Sequence, residues 1–97
     1  MLVEFEWDER KRISNLAKHG VDFRDAVRID LSKAVIREDR RRDYGEMREI
    51  ALAMLDERVH VLVFTMRGRV TRVISLRKAR LEEIRDYENQ VSDARGE

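Results

Sequence analysis

The segment Val59-His60-Val61-Leu62-Val63-Phe64 leaves this chain the least conformational choice. Valines at alternate positions and a closing phenylalanine suit a pleated, packed surface and lose rotamer freedom in a helix, so the run is a strand. Its flanks say what lies beside it. Asp56-Glu57-Arg58 reads as a tight connection and Arg67-Gly68 as a turn, which returns Met47 to Leu55 and Val70 to Ile74 alongside as antiparallel strands. Ala, Leu and Met within 47–55 also suit a helix, and the short connection decides for strand. Ala34-Val35-Ile36 adds a further short strand, with Glu38 to Gly45 as a polar loop after it.

Elsewhere the period is helical. Leu2 to Trp7 alternates loosely and contains Val, Phe and Trp, which predicts a short first strand. Asp8 then caps a helix, with Glu9 favourable to its dipole, and Ile13, Leu16 and Ala17 fall at helical spacing. Gly20 closes that helix in the left-handed conformation, with Lys18 and His19 near its negative end. Asp22 caps a second helix marked by Phe23, Ala26 and Val27, so two short antiparallel helices meet about Gly20. From about Lys78 a last helix sets Leu81, Ile84, Tyr87 and Val91 near one face. The predicted fold class is α+β: a short N-terminal strand, two helices, an antiparallel meander of three to four strands, and a C-terminal helix packed on the sheet.

Ninety-seven residues make one domain, 1–97, whose last several residues form a loose tail. Charged residues are 42% of the chain, against about 25% in an ordinary domain. With so few uncharged polar residues left, the charges must cover the outer faces of helices and strands. The absence of cysteine excludes disulfides and thiolate metal sites. The first residues carry acid where a secretory leader carries base, and no apolar run approaches the ~20 residues that cross a bilayer. A soluble, cytoplasmic protein without membrane contact is expected.

A net charge of +1 conceals an uneven distribution. The chain starts and ends acidic, while base gathers at Arg40-Arg41-Arg42 and in the acid-free run 67–80. The six bases of that run are Arg67, Arg69, Arg72, Arg77, Lys78 and Arg80, and arginine's planar fork suits phosphate oxygens. We read this run as an anion-binding surface. A two-residue turn at Arg67-Gly68 sets Met66 opposite Arg69 and Val63 opposite Arg72, with Arg72 sharing a face with Val63 and Ile74. A charge among apolar neighbours requires a ligand or a carboxylate such as Glu46 or Glu49.

Other side chains carry weaker chemistry. Ser75 reads as a cap of the last helix, since no His or acid stands at a spacing that would activate it. His19 and His60 lack metal-ligand spacing, so no metal and no small-molecule cofactor is expected. His19 suits acid–base work on chemistry alone, although helix capping also explains it. Glu46 and Arg48 flank Met47 on one face and can pair with each other or bracket a substrate. Tyr87 and Trp7 read as core or core rim.

Across roughly residues 4–89 the chain resembles the BrnT toxins of bacterial type II toxin–antitoxin modules. The resemblance rests on Phe5-Glu6-Trp7-Asp8, Asn15, Lys18-His19-Gly20-Val21, Phe23, Ala26, Gly45-Glu46 and Arg48. It continues through Thr65, Arg67-Gly68, Arg72-Val73-Ile74-Ser75, Arg77, Ala79, Glu83 and Tyr87. Departures at Arg12, at Ile29-Asp30-Leu31-Ser32 and at Ala53 fall in packing and loop positions. The resemblance implies a RelE-like fold, a metal-independent endoribonuclease that inhibits translation, and a BrnA-like antitoxin that covers the toxin and binds DNA to repress the operon. Of the residues it matches, Arg67, Arg72 and Arg77 are the candidates for transition-state stabilisation. His19, Lys18 and Glu46 are those for proton transfer. Arg48, Arg69, Lys78 and Arg80 are assigned to RNA binding. Two rival readings remain: a catalytically inactive binding module acting through an antitoxin, and a DNA-contacting regulatory subunit.

Overall fold

A computed structural model describes residues 4–94. The valine-rich run is the centre of β4, Arg58–Arg67, the middle strand of a five-stranded sheet. On one side lie β3, Glu49–Leu55, and then β2, Val35–Glu38; on the other lie β5, Val70–Lys78, and then β1, Glu4–Trp7. The β2, β3, β4 and β5 ladders are antiparallel, and β1 joins β5 in parallel. Of the predicted first strand, Leu2 and Val3 lie outside the described residues, as do residues 95–97 of the expected tail.

Two turns fix the register. Leu55 pairs with Arg58 across Asp56 and Glu57, whose φ values of 52° and 65° make the primed hairpin turn that matches strand twist. Between β4 and β5 the loop is Gly68-Arg69, with Arg67 opposite Val70. That is one residue later than the predicted Arg67-Gly68 turn, because Gly68 holds a φ of 62°, open to glycine, at the first loop position. Thr71 therefore faces Met66, and Arg72 faces Thr65 rather than Val63. Val63 pairs with Ser75 and Phe64 with Val73, so Ile74 is the extra residue of a bulge. β5 runs on to Lys78, four residues beyond the prediction, and Ser75 is a mid-strand residue rather than a helix cap.

The expected first helix forms as α1, Glu9–His19, capped by Asp8 and closed by Gly20. The expected second helix is instead a 3-10 segment, Phe23–Arg28, followed by a shorter one, Leu31–Lys33. Phe23, Ala26 and Ile29 are buried at intervals of three, the 3-10 period, so the tighter coil aims all of them at the core. The C-terminal helix α2, Leu81–Ala94, begins three residues later than predicted. It covers the other side of the sheet through Ile84 and Tyr87, while Leu81 stays exposed.

The sheet thus separates two cores. Phe23, Ala26, Leu62, Phe64, Val73 and Leu76 lie beneath the 3-10 segments, and Leu52, Val59, Val61 and Ala79 lie beneath α2. α1 joins neither core by its apolar stripe. Its inward residues are Arg12, Asn15 and His19, and Ile13, Leu16 and Ala17 face outward. Asn15 explains the inversion. β1 pairs with β5 only at Val70–Val73, so β5 has a bare edge beyond the bulge. The Asn15 amide nitrogen donates to the Leu76 and Val21 carbonyls at 2.7 and 3.0 Å, and its oxygen accepts from the Leu76 amide at 3.2 Å. One side chain stands in for the missing strand, as a buried ladder edge demands.

Candidate anion-binding face

Alternation along β4 and β5 sorts the basic run. Leu62 and Phe64 point to the 3-10 side, so Thr65 and Arg67 point to the α2 side. Their partners follow them: Arg72 opposite Thr65, Ser75 opposite Val63, and Arg77 opposite Val61. Arg67, Arg72 and Arg77 therefore share one face, the part of the α2 side nearest β5. The bulge at Ile74 keeps Arg77 there, because an unbroken alternation from Arg72 would turn residue 77 to the opposite side. Lys78, the partner of His60, points the other way and lines a cleft with His60, Asp25 and Asp56. Arg69 is exposed in the hairpin turn, and Arg80 is exposed beyond β5 with Glu82 at 3.8 Å.

The long loop from Asp39 to Arg48 completes the face. Its stem is closed twice: the Asp39 amide donates to the Arg48 carbonyl at 2.7 Å, and the Thr65 hydroxyl donates to the Met47 carbonyl at 2.6 Å. The Asp39 side chain is fully buried, accepting both arms of Arg41 at 2.8 and 2.7 Å and the Tyr44 hydroxyl at 3.0 Å. Those donors hold its carboxyl far below the ordinary range, so Asp39 stays ionised and the loop stays pinned. Tyr44 in turn lies 4.0 Å from the Arg48 guanidinium, a cation–π contact. Arg48 Nε stands 3.8 Å from Glu46 and is the one buried side-chain donor among the described residues without a hydrogen-bond partner.

Each arginine of the row meets a carboxylate, and the contacts differ in kind. Arg67 is 54% exposed and only 3.7 Å from Glu46, a loose pair. Arg72 donates to Glu6 at 2.8 Å across the parallel β1 edge, not to Glu46 or Glu49, the carboxylates named as alternatives to a ligand; Glu49 pairs with Phe64 on the opposite side. Arg77 is gripped at both arms by Glu83 at 2.8 Å, and Glu83 also accepts the Arg80 amide at the start of α2. Arg77, then desolvation opposing it, and that amide leave the Glu83 carboxyl at about 2. The Arg77 fork is therefore filled, whereas Arg67 can turn to another anion at little cost.

His19 sits at the Arg77 end, in a shallow cleft with Lys18, Ser75 and Ile74. Burial first, then the charges of Lys18 and Arg77, push its imidazole below the ordinary value, so it is neutral near pH 7. Glu46 sits at the Arg67 end, between Arg48 and Arg67. Arg72 and Arg77 stand five positions apart on β5, roughly 15 Å at a strand's rise per residue. The two groups of proton-transfer candidates thus occupy opposite ends of the row. Asp39, Arg41, Tyr44 and Thr65 were not picked out as site residues from the sequence. The Arg41 charge was visible, but the ring of donors around Asp39 shows only once the loop is folded.

No described group of His, Asp or Glu is arranged to hold a metal ion. Among the described residues, no helix is long and apolar enough to cross a membrane. No curated protein matches the chain. A solved structure is similar over 81% of this chain and 99% of its own, with 28% identity and a TM-score of 0.66: the ribonuclease toxin BrnT of Brucella abortus. The family profile for the ribonuclease toxin BrnT of type II toxin–antitoxin systems matches residues 7–83. An α+β sheet of this topology, bearing an arginine row on one face, belongs to a chain that is a member of the BrnT family of ribonuclease toxins, whose partners are antitoxins.

Proposed function

We propose that the arginine face is the catalytic surface of a metal-independent endoribonuclease that turns a ribose 2′-hydroxyl onto the adjacent phosphate. The observation that carries this reading is the bulge at Ile74, which keeps Arg77 on the side of the sheet that carries Arg67 and Arg72, with Glu46 at the Arg67 end. In that reaction the 2′-oxygen loses its proton, the phosphorus passes through a crowded dianionic transition state, and the 5′-oxygen leaves. Guanidiniums fixed where that charge develops lower its energy without reorganising. Arg67 and Arg72 have the reach to touch the phosphate. Arg77, occupied by Glu83, contributes its field.

Glu46 is our choice of general base, because its carboxylate lies beside Arg67 and Arg48 at the open end of the row. His19 and Lys18, about 15 Å along the strand, contact flanking nucleotides. Arg69 and Arg80 add general attraction. A BrnA-like antitoxin, encoded beside the toxin and forming a DNA-binding repressor complex with it, is the partner we expect.

Purified protein is incubated with RNA and EDTA beside a variant carrying Arg67→Ala, Arg72→Ala and Arg77→Ala. Cleavage that persists in EDTA and disappears in the variant supports the reading; folded wild-type protein that leaves RNA intact ends it. A second variant ranks the bases. Glu46→Gln is expected to lower kcat about 100-fold or more with RNA affinity retained, the usual weight of a general base. His19→Ala is expected to act mainly on KM, and the opposite pattern would reassign the base to His19.

A further inference from the structure

α1 is built inside out. Its polar residues Arg12, Asn15 and His19 face the protein, and its apolar residues Ile13, Leu16 and Ala17 face solvent. Ile13 is 56% exposed and Leu16 39%, well outside core values. Spacings of three and four put these side chains on one continuous strip of the helix surface. The strip is not a by-product of poor folding, since the reversed orientation is enforced by the three hydrogen bonds that Asn15 makes to Val21 and Leu76. An apolar strip fixed outward on a rigid element is the form of a helix-docking surface, read through anchors at i, i+3 and i+4.

Charge says what covers it. Among the described residues, the ion pairs of this helix join Arg12 to Glu9 and to Asp22, and none of them engages Arg10, Lys11 or Lys18. Those three bases stand exposed along the same helix, and Lys11 and Lys18 border the shallow cleft that holds His19, Ser75 and Ile74. A ligand complementary to this surface has an apolar ridge and acidic flanks. Nucleic acid supplies the negative charge but has no apolar ridge for Ile13 and Leu16. We infer that α1 is the docking site for an acidic amphipathic helix of the antitoxin partner, laid along Ile13, Leu16 and Ala17 with its carboxylates on Arg10, Lys11 and Lys18. Docked there, the helix borders the cleft beside Arg77 and obstructs RNA at that end of the arginine face.

This inference rests on the proposed antitoxin pairing, and the experiment separates the two. The toxin and the product of the neighbouring reading frame are purified separately. Their affinity is then measured by calorimetry for wild type and for the double variant Ile13→Glu, Leu16→Glu. Both side chains point away from the core, so folding by circular dichroism and RNA cleavage without antitoxin should match wild type. The expected result is a loss of affinity of about 100-fold or more, with failure of the antitoxin to suppress cleavage by the variant. Wild-type affinity retained by the folded variant overturns the docking site alone. No binding by wild type overturns the pairing and the site together. Cleavage lost from the folded variant would make α1 an RNA surface instead, and that too overturns the proposal.

Discussion

Asn15 shows how much one side chain can decide. Its 7% exposure and its contacts with Leu76 and Val21 mean that truncation strands the Leu76 amide and carbonyl at the sheet edge and the Val21 carbonyl beyond α1. Leaving such groups unpaired costs about 1–3 kcal/mol each before water relieves part of it. Asn15→Ala is therefore expected to destabilise the fold by about 2–4 kcal/mol, seen as a lowered urea midpoint. A midpoint within experimental error of wild type would show that water serves the edge equally well. At this scale the sequence made arginine chemistry legible, because six bases without an acid stand out in any reading. It did not show that Arg77 and Lys78 take opposite faces of the sheet. Which face a strand residue takes depends on the bulge at Ile74 and on where the turn begins, and neither is marked by composition.

The junction of β5 and α2 depends on a single carboxylate. Glu83 grips Arg77 and accepts the Arg80 amide, and its folded pKa of about 2 lies below the ordinary 4.5. A depressed carboxyl stabilises the fold fully above its unfolded pKa and loses that contribution as pH falls through 4.5 towards 2. The amount is on the order of 3 kcal/mol at most, reduced by the part that solvent screens. Glu83→Gln should therefore be less stable than wild type at pH 7 and converge with it near pH 2, in denaturant melts taken across that range. A constant difference at all pH values would deny Glu83 this role. Elements were easier to read than their ends. β4 followed from its valines and α1 from its caps, whereas the 3-10 coil at Phe23–Arg28 was missed because capping signals do not distinguish a period of three from one of 3.6.

Across the whole molecule, the sheet works as a divider. One side buries the larger core under the 3-10 segments, and the other carries α2 and, beyond it, the arginine face. Net charge of +1 is no obstacle to RNA binding, because most carboxylates near the row are already paired with it and orient it. Each phosphate neutralised on a single strand contributes about −0.7 to the slope of log affinity against log salt. Arg67→Ala should make that slope shallower by about that amount, while Lys78→Ala, on the opposite side, should leave it unchanged. Equal effects from the two would mean that the RNA wraps both faces.

The reaction proposed for this arginine face cleaves RNA through the ribose 2′-hydroxyl without a metal. The most direct measurement is mass spectrometry of the fragments released in EDTA from an RNA oligonucleotide, beside the same oligonucleotide with 2′-deoxyribose at the cleaved position. The expected products are fragments ending in a 2′,3′-cyclic phosphate, or the monophosphate it hydrolyses to, and an intact deoxy-substituted strand. Cleavage at the deoxy position, or fragments that form only when a divalent metal is restored, would contradict it.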